Sequence, residues 1–488
     1  MKRLLSRGIP VKILAGLAML ALVMLLIPML NAARFDVPAL DDYSFGLETH
    51  RTWMETGNLW SVLNAALDHV KFIYQNWQGT FTAVFLFAMN PMIFGEQYYQ
   101  IGPWVILLTL MAGIFSLTFA VWGGLFSASK SECLLIAAVW SVLCTQFLPR
   151  ASQGIYWFNG AVYYTFFFGL ASVVFAMLLA RLSGKKTKGR LVLICILLFL
   201  VSGGNLVTGL TSAVLLASLE IFLLVTKRKE WKQLLLPLCC YFTGFLINVC
   251  APGNAVRQAY YIGPGMFRAV IISFEQAVHF GKQWFSLPVI SLICLLIPVL
   301  IRIADNCEWQ FRMPWLVTLY SICLTGVMFY PPVYAMTEHN LDHLGRILNI
   351  IFFGMLFLAI FNLFYWAGWL IRRGILSESL ITAGNNSCYN VICLLAVMVV
   401  FSFGMTRIKW YDTTSISAFR SYRSGEMGTY GHIYKKRLEI LHDPEVKDAV
   451  LKRFPYRPYV LFYHELSEYP EGNSSVAAWY GKNSVIAK

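Results

Sequence analysis

Charge is what this chain most conspicuously lacks. Only 13% of its 488 residues are Asp, Glu, Lys or Arg, about half of the ~25% usual in soluble domains. Hydrophobic residues reach 58% and the mean hydropathy is +0.61. A single core stops growing near ~250–300 residues, so water offers no place to bury that surplus. A soluble multidomain chain is excluded and a polytopic membrane protein expected. Cysteine is absent from the polar segments 31–80 and 406–488, while most of the 11 thiols (Cys144, Cys195, Cys240 and Cys323 among them) lie in apolar stretches. That excludes a disulfide framework and reads as thiols packed like small apolar residues. P-loop and dinucleotide glycine patterns are also missing. The excess of 39 Lys+Arg over 25 Asp+Glu, net +14, would suggest nucleic acid in a soluble protein. Here it reports membrane sidedness, and no nucleic-acid partner is expected.

A helix crosses ~30 Å of hydrocarbon with about 20 apolar residues. Eleven crossings are predicted, at 11–30, 101–127, 131–149, 160–181, 190–204, 205–226, 232–250, 286–304, 314–332, 346–371 and 389–405. The 190–226 stretch reads as a hairpin whose first arm breaks at Gly203-Gly204-Asn205. Residues 80–94 are apolar but short and contain Pro91, predicting an interfacial or re-entrant helix. With Lys2, Arg3 and Arg7 ahead of an uncleaved first span, the N-terminus is expected in the cytoplasm of a bacterial cell. The basic loops at 181–190, 227–232 and 372–373 then fall on the same side. The polar segments 31–100, 150–159, 251–285, 333–345 and the tail 406–488 gather outside, suggesting one composite site. The expected organisation is an all-α transmembrane domain, 1–405, and a small extracytoplasmic α/β region, 406–488.

Asp41 and Asp42 follow the first span. Adjacent carboxylates there suit a general base, a metal ligand or a helix cap. Trp60, Leu63, Leu67, Val70, Tyr74 and Trp77 recur at helical spacing, predicting an amphipathic helix on the bilayer surface. Arg150, Gln153, Trp157 and Asn159 mix a cation, amides and an aromatic ring. An interfacial aromatic belt explains the ring; the polar neighbours suit a sugar. Pro252-Gly253-Asn254 with Arg257 offers a tight turn and a guanidinium for phosphate, or simply a helix stop. His339 and His343, four apart, share one helical face and have a spacing compatible with a divalent cation, although a solvated loop is the more common account of such a cluster. Arg346 opens the next span, where a lipid phosphate is the obvious partner for its charge.

An acidic pair after the first span, an amphipathic first outer loop and many further spans resemble the GT-C class of membrane glycosyltransferases. More narrowly, Asp41-Asp42-Tyr43, Trp77-Gln78-Gly79, Pro252-Gly253-Asn254 with Arg257, and the closing Asn473 with Ala477-Ala478-Trp479-Tyr480-Gly481 are similar to a family of uncharacterised bacterial membrane proteins sometimes grouped with those enzymes. Thr80 stands where that family often carries a basic residue. The resemblance implies a polyprenyl-phosphate sugar donor, a cell-envelope glycan acceptor and a lipid environment, without a nucleotide cofactor. It makes Asp41 or Asp42 the base. Arg257, Arg346 and then Arg150 would stabilise the leaving phosphate, with Trp157, Asn159, Asn254, His339 and His343 among the substrate-binding groups. Rival classes are a flippase of lipid-linked glycan, a glycan polymerase or ligase, and a membrane scaffold. A flippase should show inverted repeats or mid-membrane ionisable groups; no repeat is visible, and Glu220 is the one carboxylate well inside a predicted span.

Overall fold

The computed structural model describes residues 9–39, 41–184, 188–261, 263–335, 341–376 and 387–488. The chain is predominantly helical, with the apolar helices of a polytopic membrane protein. Among the described residues, eight segments are long and apolar enough to cross a bilayer: Val11–Phe35, Glu96–Leu125, Phe158–Leu182, Leu206–Val225, Trp231–Val249, Leu287–Asn306, Pro314–Ala335 and Gly345–Arg372. Three expected crossings form shorter or partly described helices. The 131–149 stretch is the 17-residue helix Lys130–Gln146, begun by a Ser129–Glu132 capping box and followed by Pro149. The 190–204 arm is the 15-residue helix Lys188–Ser202, stopped by Gly203-Gly204. Of the 389–405 stretch, Leu395–Met405 is an apolar helical segment.

In chain order the elements used below are α1 (Ile9–Ala32), α2 (Asp41–Thr56), α3 (Leu59–Asn76), α4 (Phe81–Ala88), α5 (Gly102–Thr118), α6 (Lys130–Gln146), α7 (Phe167–Leu182), α8 (Lys188–Ser202), α9 (Leu206–Val225), α10 (Trp231–Val249), α11 (Pro252–Gln258), α12 (Met266–Trp284), α13 (Pro314–Ala335), α14 (Gly345–Arg372), α15 (Thr414–Arg423), α16 (Glu426–His442), β1 (Asp448–Leu451), α17 (Ser474–Trp479) and β2 (Ser484–Ala487).

Small residues set the helix approaches. A Cβ on Gly113 of α5 would lie 2.5 Å from the Gly169 carbonyl oxygen of α7, and one on Gly169 would lie 2.6 Å from that of Thr109. The two backbones touch because neither residue has a side chain. Away from the protein interior, α1 turns Ile13, Leu17, Leu20, Met24 and Ile27 outward, as a lipid-facing helix does. Remote from the Asp41 end of the bundle, Arg302 and Glu132 form a largely buried pair at 2.6 Å.

The 80–94 stretch is too short to cross. It makes the eight-residue α4, then a 3-10 turn from Pro91 to Phe94. The Thr82 N–H donates to the Gly203 carbonyl at 3.0 Å, so the break between α8 and α9 supplies an acceptor to the start of α4. Asn205 caps α9 through the Thr208 N–H and donates to the Tyr163 carbonyl. Asn248 of α10 satisfies the Ser202 and Gly204 carbonyls. The carbonyls freed by the broken arm at Ser202, Gly203 and Gly204 thus find donors within the buried joint.

Helix α3 is capped by Asn58. It buries Val62 and Ala66 and leaves Trp60 and Leu67 exposed, the outward apolar stripe expected of an interfacial helix. The segment 406–488 forms α15, α16, α17 and a two-stranded parallel sheet in which Asp448 pairs with Ser484 and Leu451 with Ala487. It packs on α1 and α2 rather than standing apart.

Candidate functional site

The two neighbouring aspartates face opposite ways, because successive helix residues are rotated by about 100°. Asp42 is fully buried. Its Oδ2 accepts from the Ala39 N–H (3.0 Å) and the Tyr99 hydroxyl (2.8 Å). Its Oδ1 accepts from the Asn159 N–H (3.2 Å) and lies 3.5 Å from Asn90 Nδ2. Desolvation pushes its pKa up to about 7 against those hydrogen bonds. Asp42 therefore binds four chain segments together and has no lone pair pointing to a substrate. Asp41 is exposed. Desolvation raises its pKa, while Arg346, then Arg257, then His464 pull it back. Those groups come from positions 257, 346 and 464, so distant segments converge on one accessible carboxylate. Asp36, just upstream, is buried with both oxygens unpartnered; desolvation and the charge of Asp42 hold its carboxyl well above the ordinary range.

Two of the short motifs prove to be halves of one joint. A Cβ on Gly79 would fall 1.9 Å from the Asn248 carbonyl oxygen, and one on Gly253 would fall 2.5 Å from the Trp77 nitrogen. Only glycines permit that contact. Asn254 fastens it, accepting from the Gly79 N–H (2.9 Å) and donating to the Asn248 and Val249 carbonyls. With its amide fully engaged, Asn254 is a positioning residue. Arg257 is what the joint presents: it donates to Gln78 Oε1 at 2.6 Å and lies 5.4 Å from the centre of the Trp77 ring. Thr80 is buried and accepts from Gln78 Nε2.

The 150–160 segment positions the second cation. Gln153 Oε1 accepts the Arg346 backbone N–H at 3.0 Å, and the Arg346 guanidinium lies 4.8 Å from the Trp157 ring centre. Trp157 stacks on Phe462 at 4.5 Å on a nearly parallel plane, so the tail backs the ring that supports Arg346. The Trp157 Nε1 and both side-chain amide atoms of Asn159 are buried without partners, which is costly unless a ligand or water satisfies them.

Arg150 is placed elsewhere. Asn349 holds its backbone at 2.8 and 2.9 Å, and its side chain lines a separate cavity of 510 Å³ with Asp342, Asp412 and Tyr459. His343 is exposed; His339 lies outside the described residues. Among the described residues no three His, Cys, Asp or Glu side chains converge on a metal position.

The sequence places the tail on the side of the composite site but singles out neither His464 nor Ser475. Trp479 stacks on His50 at 4.0 Å and meets Tyr43 edge-on, so the closing motif packs directly against Asp41-Asp42-Tyr43. His464 and Ser475 face the cavity beside Asp41. The Tyr456–His464 aromatic run was the available signal, but only folding brings it back to residue 41. The apolar helices mark a multi-span membrane protein, in which Asp41 lies under the influence of Arg257 and Arg346. Comparison with family models, curated proteins and solved structures finds no match.

Proposed function

We propose that this chain is a GT-C-like glycosyltransferase of the bacterial cytoplasmic membrane. It moves a sugar from a polyprenyl-phosphate-linked donor to a glycan or lipid-linked acceptor on the outer face, with its N-terminus inside. The carrying observation is that Asp41, the accessible member of the acidic pair, lies within electrostatic reach of Arg257 and Arg346.

Asp41 takes the proton of an acceptor hydroxyl while that oxygen bonds to the anomeric carbon. The bond from that carbon to the phosphate oxygen breaks, and its electron pair leaves on polyprenyl phosphate. Arg257 and Arg346 stabilise that developing charge. A carboxylate with a raised pKa is a better proton acceptor than an ordinary Asp. Asn159 offers an unpaired amide to the sugar, while Trp157, stacked on Phe462, holds the Arg346 guanidinium in place. Because the donor arrives on lipid, no nucleotide site is needed.

The test uses the purified full chain with polyprenyl phosphates carrying radiolabelled hexoses, scoring release of polyprenyl phosphate. Asp41→Asn should slow release by about 10²–10⁴-fold. An unchanged rate removes Asp41 from the mechanism. In proteoliposomes, labelled lipid that changes leaflet while keeping its sugar identifies a flippase instead.

A further inference from the structure

Between Asp41 and the C-terminal region is a cavity of 210 Å³. One wall is α2 and the turn before it, with Pro38, Asp41 and Ser44; the other is entirely the tail, with Tyr430, Tyr434, Tyr463, His464 and Ser475 among its residues. Neither Arg257 nor Arg346 lines it. We propose that this cavity holds the terminal ring of the acceptor, an uncharged hexose-sized sugar, and that the C-terminal region sets acceptor specificity. The assignment to an acceptor rests on the transferase reading above.

Size is the first argument. Pockets for drug-sized ligands run to ~300–1,000 Å³, so 210 Å³ admits one small ring and not an oligosaccharide. Composition is the second. Phenol faces with hydroxyl and imidazole groups match the alternating apolar faces and hydroxyl edges of a pyranose.

Charge is the third. Arg437, the strong cation of the lining, is already taken: its guanidinium donates to Glu465 at 2.8 Å and to the Lys452 carbonyl at 2.7 Å. What remains in the lining is the Asp41 carboxylate with the His464 imidazole, and no unpaired guanidinium to hold the carboxylate of an acidic sugar. Position is the fourth. The phosphate of the donor belongs with Arg257 and Arg346, and an in-line displacement needs nucleophile and leaving group on opposite faces of the anomeric carbon. A ring in a cavity that contains Asp41 but neither cation presents its hydroxyl to the base from the required side.

Saturation-transfer NMR on the full chain in nanodiscs tests this, using methyl glycosides of glucose, galactose, mannose and N-acetylglucosamine, with methyl glucuronide as the acidic comparator. At least one neutral glycoside should give a signal and the glucuronide none. Ser44→Trp fills the cavity from an exposed helix position and should cut the signal at least fivefold. His464→Ala, also at an exposed residue, should weaken it, and Asp41→Asn should retain it. The proposal is overturned if no neutral glycoside binds, if the glucuronide alone binds, or if binding survives both Ser44→Trp and His464→Ala. Binding that these variants abolish, in a protein that transfers nothing from the lipid donor, retains the sugar site and removes the transferase. Transfer that proceeds with normal acceptor KM in both variants removes the site and retains the transferase.

Discussion

Replacing Asp42 by Asn separates the structural carboxylate from the reactive one. Each Asp42 oxygen receives one backbone N–H, from Ala39 at 3.0 Å and from Asn159 at 3.2 Å. A backbone donor cannot rotate away. Whichever way the substituted amide is turned, its NH2 group faces one of those two N–H groups and leaves it unpaired in a dry environment. The Tyr99 hydroxyl offers no remedy, because it is itself fixed by the Phe158 N–H at 3.0 Å. Either oxygen of a carboxyl, protonated or not, keeps a lone pair for its N–H; an amide nitrogen has none to offer. An orphaned buried donor costs about 1–3 kcal/mol, and the lost hydrogen bond adds to it, so Asp42→Asn should cost about 2–4 kcal/mol at pH 6. The pH dependence gives a second reading. Asp42 has a folded pKa of about 7, above the ordinary 3.8, so its contribution is fully present below the unfolded value and is lost as pH rises through 7. Over that window the linkage is on the order of 4 kcal/mol. Wild type should lose stability from pH 5 to 8, Asp42→Asn should be flatter, and the gap between them should narrow. Thermal unfolding can be followed by a thiol-reactive fluorophore once the exposed Cys239, Cys250 and Cys323 are blocked, because Cys133 and Cys144 are free and buried. Asp41→Asn, at an exposed position, should melt with wild type. If Asp42→Asn is as stable as wild type at pH 6 while Asp41→Asn is not, the division of roles is wrong.

Gly79→Ala and Gly253→Ala should each destabilise by about 1–3 kcal/mol, since their methyl groups would fall 1.9 and 2.5 Å from backbone atoms; disulfide trapping between engineered cysteines on α3 and α11 should report the opened joint. Arg346→Lys keeps the charge but loses the flat guanidinium that covers Trp157. The expectation is a fall in kcat of about 10-fold or more with intact folding, and wild-type turnover would show that the planar contact is dispensable. Glu465 is desolvated, but hydrogen bonds from Tyr463, the Phe454 N–H and Arg437 outweigh that and hold its carboxyl below the ordinary value. Its stabilisation is present above the unfolded pKa and disappears as pH falls through the folded one, so hydrogen exchange in 426–488 should rise in acid below about pH 4, and Glu465→Gln should remove that transition. Arg437→Ala strands the Glu465 charge and should cost about 3–5 kcal/mol, read as protease sensitivity confined to the tail.

The membrane class was legible because hydrophobicity is additive along a chain; the joints were not, because they depend on what each residue meets. The break at Gly203-Gly204 was visible as a pair of glycines. That its carbonyl would receive the N–H of Thr82, some 120 residues earlier, had no local mark. Trp77-Gln78-Gly79 and Pro252-Gly253-Asn254 looked like two separate elements, one ending a helix and one shaping a phosphate turn. They are two faces of a single close approach, and their glycines are explained by each other rather than by a ligand. The same reasoning limits what an acidic pair can say. Asp41 and Asp42 have identical chemistry, and the rotation of about 100° between successive helix residues leaves the first exposed and the second buried. The donors at 39, 99 and 159 bind Asp42 into the structure, whereas Asp41 is exposed and lies under the influence of the cations at 257 and 346. Arg150 illustrates the same point: its charge and neighbours suggested the site, yet Asn349 clamps its backbone and the residue lines a different cavity. A side chain's chemistry can be read from its letter, but its availability is settled by residues far away in sequence, and a functional assignment needs both.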